Sequence, residues 1–392
     1  MQRRNFLRVV GGGSIAAVGL GVTAWATLPT AMPAQAIAAW AGPDANLSAG
    51  QDIRHRLLSY ALLAPHAHNL QSWRVDLSQD NTIILYCDLQ RLLPQTDPAS
   101  RQIMLSHGAF LEVLDLAAKS HGLQADITLF PDGVFPAQAI DKRPVARITL
   151  KKDASASADL LFDQVLHRHT NRGLYDPGRP ARPEALVAMR NAAGSGVAVG
   201  FAGTSDASTF ETLSEIARQA WRVELVTPRT VMESMDLLRV GTDEVARHRD
   251  GISLLEPLPV ALDRFGLLDR HQPPSGAALE AQIRGFNDKI ASTPNYLWLT
   301  TPGNDRPTQI AAGRAYVRAQ LAATLHGLSF HPVSQALQEY EEQAPWYARV
   351  HAVTGASTQG STVQMWVRLG YASATVPSPR RGLQALLGKA QT

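Results

Sequence analysis

A short segment in the first quarter of the chain is dense in side chains that both donate and accept hydrogen bonds. It reads PHAHNLQSW over residues 65–73, so that His66, His68, Asn69 and Gln71 follow Pro65. Two imidazoles and two amides can match a flat heterocycle whose edge alternates donors and acceptors. The same composition also suits a turn that leads into a strand. The segment is therefore a candidate cofactor loop with a structural alternative.

Two arginine clusters lie far apart in the sequence. The first places Arg168, Thr170 and Arg172 in RHTNR, and the second places Arg380 and Arg381 in SPRR. Arginine makes paired, charge-assisted hydrogen bonds to phosphate, and a hydroxyl adds one more donor. Two such clusters can hold one phosphate group. Either cluster can also be a solvated face, which is the common role of an isolated arginine pair.

Two histidine pairs raise the alternative of a metal protein. His66 and His68 are separated by one residue, as are His167 and His169. Alternate residues of a strand share a face and could bind one ion. However, no cysteine or carboxylate spacing joins the two pairs, and both fall inside the segments described above. We assign no metal ligand on this pattern.

Together these segments resemble the FMN-binding nitroreductase-like proteins, in particular their exported single-chain, Acg-like branch. The family's Pro-Ser-x-x-Asn-x-Gln-Pro-Trp signature is similar to residues 65–73, and its Arg-x-Ser-x-Arg/Lys phosphate motif is similar to residues 168–172. The turn at residues 330–334 resembles the one beside the flavin ring, and residues 378–381 resemble the terminal phosphate-binding stretch.

The resemblance covers nearly all of residues 52–381 and implies a set of FMN contacts drawn from these four segments. They are Pro65, His66, His68, Asn69, Gln71, Arg168, Thr170, Arg172, Pro332, Ser334, Arg380 and Arg381. In this family a hydride arrives at the flavin and leaves from it, so the cofactor carries the chemistry and the side chains position it. We therefore expect no catalytic acid or base.

The elements that must position these residues show an internal repeat. Residues 108–123 align without gaps on residues 313–328: glycine opens both, Leu-Ala-Ala lies in the middle of both, and His-Gly-Leu closes both. Each has helical spacing and a glycine where a helix ends. A second pairing sets His55-Arg56, ten residues before Pro65, against His167-Arg168, ten residues before Pro177. We infer two related halves.

Strands are predicted at residues 82–87, 146–150, 197–201, 296–300 and 363–369, between the helices. The expected fold class is therefore α+β, a nitroreductase-like three-layer α-β-α sandwich with two fused halves forming an intramolecular pseudo-dimer. We expect a signal peptide and linker over residues 1–40, a first half over 50–155 and a second half over 156–385. The second half includes a lid-like insertion at about 225–292.

Each half keeps one polar motif that the other lost. Family members bind flavin at a dimer interface, so the resemblance implies one FMN per chain, held between the halves. We expect a monomeric pseudo-dimer. A segment as long as the insertion is more typical of a lid than of a disordered loop, although it could serve only to tie the halves together.

The first residues predict export. Arg3 and Arg4 are followed by Phe6, Leu7 and Arg8, then by an apolar, glycine-rich run over residues 11–26. Ala34-Gln35-Ala36 offers a cleavage sequence, with which Ala24-Trp25-Ala26 and later alanines compete. This order is typical of a twin-arginine signal, which is read by the twin-arginine translocation machinery. We expect a periplasmic or other extracytoplasmic location. Such proteins cross the membrane already folded, usually because a cofactor is inserted in the cytoplasm.

Composition describes an ordinary globular protein, with 45% hydrophobic and 18% charged residues. The formal charge of +3 falls to about zero if the signal's three arginines are removed, so nothing points to nucleic acid. The single cysteine, Cys87, lies in a predicted strand and cannot form an internal disulfide.

We therefore expect an exported FMN-dependent oxidoreductase that passes electrons to small nitro or quinone-like acceptors. Because NAD(P)H is scarce outside the cytoplasm and no glycine-rich dinucleotide fingerprint follows a strand, a quinol or small reductant is the expected donor. The alternative is a non-catalytic flavin-binding or flavin-sequestering protein with a lidded site.

Overall fold

The computed structural model describes residues 30–48 and 50–387; the predicted signal residues 2–26 lie outside this range. Twelve α-helices occur within it. They are α1 Ala34–Ile37, α2 Pro43–Asn46, α3 Ile53–Ala61, α4 Arg101–Ser120, α5 Pro183–Ala193, α6 Ala207–Val226, α7 Pro228–Asp236, α8 Gly241–His248, α9 Pro257–Arg264, α10 Ala277–Ala291, α11 Arg306–Leu325 and α12 Ala344–Val353. Across these residues no helix combines the length and apolar character needed to cross a membrane.

Ten strands accompany the helices. They are β1 Trp73–Asp76, β2 Thr82–Cys87, β3 Leu123–Leu129, β4 Ala146–Lys152, β5 Ala198–Gly203, β6 Leu238–Val240, β7 Ile252–Leu254, β8 Asn295–Pro302, β9 Ser329–Pro332 and β10 Ser361–Gly370. The first half forms an antiparallel sheet of order β1-β2-β4-β3, and the second forms one of order β5-β8-β10-β9. A short parallel pair, β6-β7, lies in the insertion.

The second sheet is covered on both faces. Leu297 and Leu299 of β8 join the core shared with the first half, whereas Tyr296 and Trp298 join a second core with α6, α10 and α12. The first sheet is covered on one face: in β4, Ile148 is buried, while Arg147 and Lys151 are exposed. The α+β expectation of two related halves is confirmed, with the three layers complete in the second half.

The two halves meet where α4 and α11 cross. Both helices end as the repeat predicts, with Gly122 at φ 68° and Gly327 at φ 71°, the left-handed conformation that glycine favours at a helix end. At the crossing, a Cβ on Gly108 would overlap the carbonyl oxygen of Ile310. Only glycine allows backbones to approach this closely.

The second sequence pairing is wrong. His55 and Arg56 lie inside α3, but His167 and Arg168 follow a short 3-10 turn and run into an extended segment without helix. In that segment Thr170 pairs with Phe330 at the edge of the second sheet. Shared residue types therefore do not mark equivalent positions here.

The N-terminal residues from Ala34 onward pack on the body of the protein. Ala36 is fully buried, and its carbonyl accepts a hydrogen bond from the Arg380 backbone N–H at 2.8 Å. Trp40 is also buried. The candidate cleavage sequence thus lies in a packed helix, and the segment assigned above to the linker contributes to the fold.

The insertion, which we define as residues 228–276, contains α7 to α9 and the β6-β7 pair. The helix that follows it, α10, belongs to the second half, since Phe286 and Ile290 pack in the core beneath β8 and β10. The stretch without a first-half counterpart is therefore shorter than residues 225–292.

Candidate functional site

The signature loop, residues 65–72, has an unusual backbone. His68, Asn69 and Gln71 adopt φ values of 47°, 54° and 55°, a left-handed conformation that non-glycine residues seldom take. Such a backbone conformation persists where many surrounding contacts hold it, which is common at binding sites. Local contacts therefore have to hold this loop in place.

His66 is one of these contacts. Its Nδ1 donates to the Ala67 carbonyl at 2.8 Å, and its Nε2 accepts from the Ser72 backbone N–H at 3.1 Å. Burial holds the pKa of His66 well below its usual value, so the ring is neutral. With both nitrogens occupied, His66 shapes the loop and has no free nitrogen for a cofactor or metal ion.

The loop is bonded to the C-terminal stretch through Asn69 and Gln71. Asn69 donates to the Pro379 carbonyl at 3.1 Å and accepts from Arg380 at 2.7 Å. Gln71 accepts from the Arg381 backbone N–H at 2.9 Å and donates to the Arg249 carbonyl of the insertion at 2.9 Å. The side chain of Arg381 in turn donates to the Gln71 carbonyl. Both predicted amides therefore join segments of the protein to each other.

Arg168 and Arg380 converge on the end of α3. Arg168 donates to the Leu63 carbonyl at 2.8 Å and to Gln320 at 3.0 Å. Arg380 donates to the carbonyls of Leu62, Leu63 and Ala64 at 2.9–3.1 Å. These carbonyls have no partner within the helix, and cations suit a helix C-terminus.

Neither of these guanidinium groups has a carboxylate partner in the part of the chain that the structure describes. Burial lowers the pKa of Arg168 to about 10, and burial and the nearby Arg168 hold the pKa of Arg380 well below its usual value. Trp40 covers both, with its ring 5.5 Å from Arg168 and 5.0 Å from Arg380. The two phosphate-motif arginines are thus brought together, but under an indole ring and with carbonyl partners.

Arg172 is placed differently. Its side chain reaches solvent, yet burial is the main cause that lowers its pKa, a combination that describes a side chain in a recess. Lys289 of α10 is half-buried, and burial, Arg172 and Arg368 all lower its pKa, which Glu256 opposes. Among the described residues neither side chain forms a hydrogen bond or ion pair.

His331 and Arg368 complete what we call the basic cluster, together with Arg172 and Lys289. Arg368 is fully buried and donates to His331 Nδ1 at 2.9 Å and to Thr293 at 2.7 Å. His331 is therefore a neutral acceptor, and burial and the neighbouring cations hold its pKa well below the usual value. A group of cations without paired carboxylates favours an anionic ligand.

The first half faces this cluster through His68. Burial and, to a lesser extent, Arg172 lower the pKa of His68 to about 4. Among the described residues, the Tyr316 hydroxyl of α11 is buried without a hydrogen-bond partner, and it interacts electrostatically with Arg172. The other predicted residues, Pro65, Thr170, Pro332 and Ser334, are partly accessible, and their side chains make no hydrogen bond within the described residues.

The insertion closes over the signature loop. Asp250 is buried and bridges Arg91 of the first half at 2.6 Å and Arg239 of the insertion at 3.0 Å. Glu233 of α7 accepts from the backbone N–H groups of Gln95 and Thr96, each at 2.9 Å. These contacts hold the insertion against the first half, and its function as a lid stays a prediction.

Sequence reasoning missed Lys289, Tyr316 and Trp40. Their neighbours at the site come from residues far along the chain, and only the fold brings them together. A lysine next to the buried Ile290 at the end of a helix was a weak signal for Lys289. Across the described residues, no three His, Cys, Asp or Glu side chains are grouped to hold a metal ion.

Comparison with known proteins gives relatives along most of the chain, although no family model matches. A "Putative NAD(P)H nitroreductase" of Mycobacterium tuberculosis is 26% identical over 351 residues, which is 84% of this chain and 90% of that protein. A second, named acg, is 32% identical over 123 residues, or 31% of this chain and 35% of that protein.

Solved structures show weaker likeness. The FMN-dependent nitroreductase NfnB from Mycobacterium smegmatis, solved in complex with NADPH, has a TM-score of 0.38 and 19% identity, covering 59% of this chain and 98% of that one. A nitroreductase-like protein from Bacillus cereus has a TM-score of 0.33 and 12% identity, covering 60% of this chain and 98% of that one.

Proposed function

We propose that this chain, a nitroreductase-like protein with two fused halves, is an FMN-dependent oxidoreductase that reduces small nitro or quinone-like acceptors. The observation that carries the proposal is Arg172, which lies beside His68 of the signature loop and near Lys289; neither cation forms a hydrogen bond or ion pair within the described residues. Unpaired cations brought together in this way are stabilised by an anionic ligand. The relatives named as nitroreductases support the same reading.

The donor set fits FMN. Arg172 and Lys289 can hold its negative charge, and the unpaired Tyr316 hydroxyl can donate or accept one more hydrogen bond. Arg168 and Arg380 act behind this set: they fix Asn69 and the carbonyls after α3, and so hold the signature loop in its left-handed conformation. When bound, the flavin supplies hydride exchange.

The insertion limits access to this site. Because Gln71 donates to the Arg249 carbonyl and Asp250 bridges to Arg91, a substrate must enter with the lid docked or displace it. This closure narrows the approach to the loop and favours small, flat acceptors.

An absorption spectrum of the purified holoprotein tests the proposal. We expect a flavin spectrum at one equivalent per chain, loss of the yellow colour with dithionite or a quinol, and its return on adding a nitroarene or quinone. NADPH is tested as the comparison donor, and we expect the quinol to reduce the flavin faster, because a quinol is the expected donor outside the cytoplasm. Protein without flavin after reconstitution would contradict the proposal.

The latched insertion also favours a second candidate, a flavin-sequestering protein. In that case the same preparation contains bound flavin that responds slowly to dithionite and not at all to quinols, NADPH, nitroarenes or quinones. Opening the lid by substitution would then expose the flavin to all of them.

We further propose export by the twin-arginine machinery, with a periplasmic or other extracytoplasmic monomer as the product. The support is the order of Arg3, Arg4, the apolar run and the alanine-rich segment in the sequence. A reporter fused to residues 1–48 should be exported, and replacing both arginines by lysine should retain it in the cytoplasm. Export of the lysine variant at the same rate would contradict this route.

A further inference from the structure

A buried acid lies behind the signature loop. Glu224, in the last turn of α6, is 4% exposed, and in the described part of the chain it has no cationic partner. Its Oε1 accepts from the Ser234 hydroxyl at 3.3 Å, and its Oε2 accepts from the Gln338 amide at 3.0 Å. A buried carboxyl without a counter-ion tends to hold its proton.

The surroundings of Glu224 set its proton affinity. Burial raises its pKa to about 7, the nearby Glu233 of α7 acts in the same direction, and hydrogen bonds from Gln338, Ser234 and Gln335 oppose them. The other titratable neighbour is Tyr340, whose own pKa burial and Glu224 raise. Near neutral pH the carboxyl therefore both takes up and releases a proton.

Ser234 of α7 connects this acid to the proposed cofactor site. Its hydroxyl lies 3.2 Å from His68 Nε2. A serine hydroxyl can donate one hydrogen bond while accepting another, so the chain Glu224, Ser234, His68 can carry a proton in either direction. His68 Nδ1 has no partner within the described residues, and the ring lies close to Arg172 of the basic cluster.

We propose that Glu224 is the proton reservoir of this site, acting through Ser234 and His68 on the acceptor reduced there; the inference rests on the function proposed above. Two-electron reduction of a quinone takes one hydride, from the reduced flavin, and one proton. That proton leaves His68 Nδ1 as Nε2 receives one from Ser234, whose hydroxyl takes one from Glu224. The remaining carboxylate is reprotonated by water.

The relay gives the insertion a second role. Ser234 belongs to the insertion, whereas Glu224 belongs to the second half and His68 to the first. The chain is complete only when α7 is docked, as it is through Glu233 on Gln95 and Thr96. Glu224 and Ser234 are thus positioning and proton-supplying residues, and His68 alone touches the site.

An infrared titration of the flavin-free protein tests the acid without relying on activity. We expect a protonated-carboxyl band that disappears with a midpoint near pH 7, is absent in Glu224→Gln, and is unchanged in Glu215→Gln, the same substitution at a partly exposed position of α6. Because the Ser234 bond lowers the Glu224 pKa, Ser234→Ala should shift the midpoint upward. Ionisation near the ordinary value of 4.5 would overturn the proposal.

A pH profile of acceptor reduction by the holoprotein tests the relay. The wild-type rate should fall as the pH rises through about 7. Glu224→Gln and Ser234→Ala should lose this dependence and be about tenfold or more slower below pH 7, at equal flavin content. Ser234→Thr keeps the hydroxyl and should retain the profile.

The outcomes separate the two proposals. If flavin binds and acceptors are reduced, but Ser234→Ala keeps the wild-type profile, the relay is wrong and the oxidoreductase function stands. If reconstituted protein holds no flavin, the oxidoreductase function fails and the relay fails with it, whatever the infrared band shows.

Discussion

Gly108 of α4 and Gly313 of α11 are equivalent residues of the two halves, and each makes the same contact with the other helix. A Cβ on Gly108 would overlap the Ile310 carbonyl, and a Cβ on Gly313 would overlap the Leu105 carbonyl. Leu105 precedes Gly108 by three residues, as Ile310 precedes Gly313, so each helix presents the same short segment to the other. At the crossing of α4 and α11, equivalent residues therefore make equivalent contacts, although the surrounding halves have diverged.

Replacing one of these glycines should destabilise the whole molecule. In Gly313→Ala the new methyl group meets backbone, which cannot rotate away, so the two long helices must separate. We expect a loss of about 1–3 kcal/mol or more in the free energy of unfolding. Gly285→Ala, in open space within α10, is the matched control and should gain up to about 1 kcal/mol. Equal effects in denaturant titrations would contradict the close-contact explanation.

Arg172→Ala should weaken flavin binding while leaving stability almost unchanged, because Arg172 has no protein partner among the described residues. Losing a charge-assisted contact worth about 1.5–3 kcal/mol lowers affinity by roughly ten- to a hundredfold. Arg168→Ala should instead lower flavin affinity and stability together, since it also removes the hydrogen bonds to the Leu63 carbonyl and to Gln320. Arg56→Ala, which breaks an ion pair with Asp44, is the control in fluorescence titrations of flavin. Comparable affinity loss in all three variants would count against a single site.

Trp40→Ala should expose Arg168 and Arg380 and loosen the N-terminal segment. Truncating a buried aromatic side chain costs about 3–5 kcal/mol. Trp40→Phe keeps an aromatic face over both guanidinium groups but loses the indole N–H hydrogen bond to the Ser378 carbonyl at 2.8 Å. We therefore expect its free energy of unfolding to fall by about 1 kcal/mol. Thermal and denaturant unfolding measure both. An alanine variant as stable as the phenylalanine variant would rule out a structural role for the ring.

Asp250→Asn should release the lid without unfolding the protein. It removes the charge that joins Arg91 to Arg239 and leaves the second core untouched. We expect faster limited proteolysis within residues 228–276 and faster reduction of bound flavin by dithionite. Asp243→Asn, at an exposed position of α8, is the control. Cleavage at the wild-type rate would show that the other lid contacts suffice.

The stability that the Glu224 proton contributes should fall as the pH rises from about 4 to about 7. The pKa of Glu224 is raised from 4.5 to about 7, so the folded state binds this proton more tightly than the unfolded state does, and stability is lost as the group ionises. Glu224→Gln should reduce the loss between pH 5 and pH 8 by about 2–3 kcal/mol, at 1.36 kcal/mol per pKa unit. Buried histidines affect both proteins equally and cancel in the comparison. Denaturant titrations at the two pH values measure the difference, with Glu215→Gln as control.

The sequence predicts best what local pattern determines. Strand β2 has the predicted bounds, and both long helices end at the predicted glycines. These features could be predicted because helical spacing and a left-handed cap depend on residues that are neighbours in the sequence. Strands β3 and β9 were missed, since β3 is largely polar on its accessible face and β9 is only four residues long. The pairing of His55-Arg56 with His167-Arg168 failed because the latter segment is held extended by contacts with Phe330.

The site was predicted by segment and not by role. Residues 65–71, Arg168 and residues 378–381 come together at the end of α3, whereas Arg172 lies in the basic cluster. Their role as cofactor contacts stays a prediction. Which arginine stays free could not be read from RHTNR, because it depends on carbonyls that α3 leaves unpaired and on Trp40. Glu224 was missed for the same reason: burial and distant partners, not neighbouring residues, give it its proton affinity.

Because the two halves are covalently linked, the stability of the contact between α4 and α11 does not depend on protein concentration. In a dimer of separate subunits, the contact between Gly108 and Ile310 would dissociate on dilution, and stability would depend on how much protein is present. Here the second helix is always supplied at the high effective concentration of a tethered partner. A dilute solution should therefore unfold at the same temperature as a concentrated one.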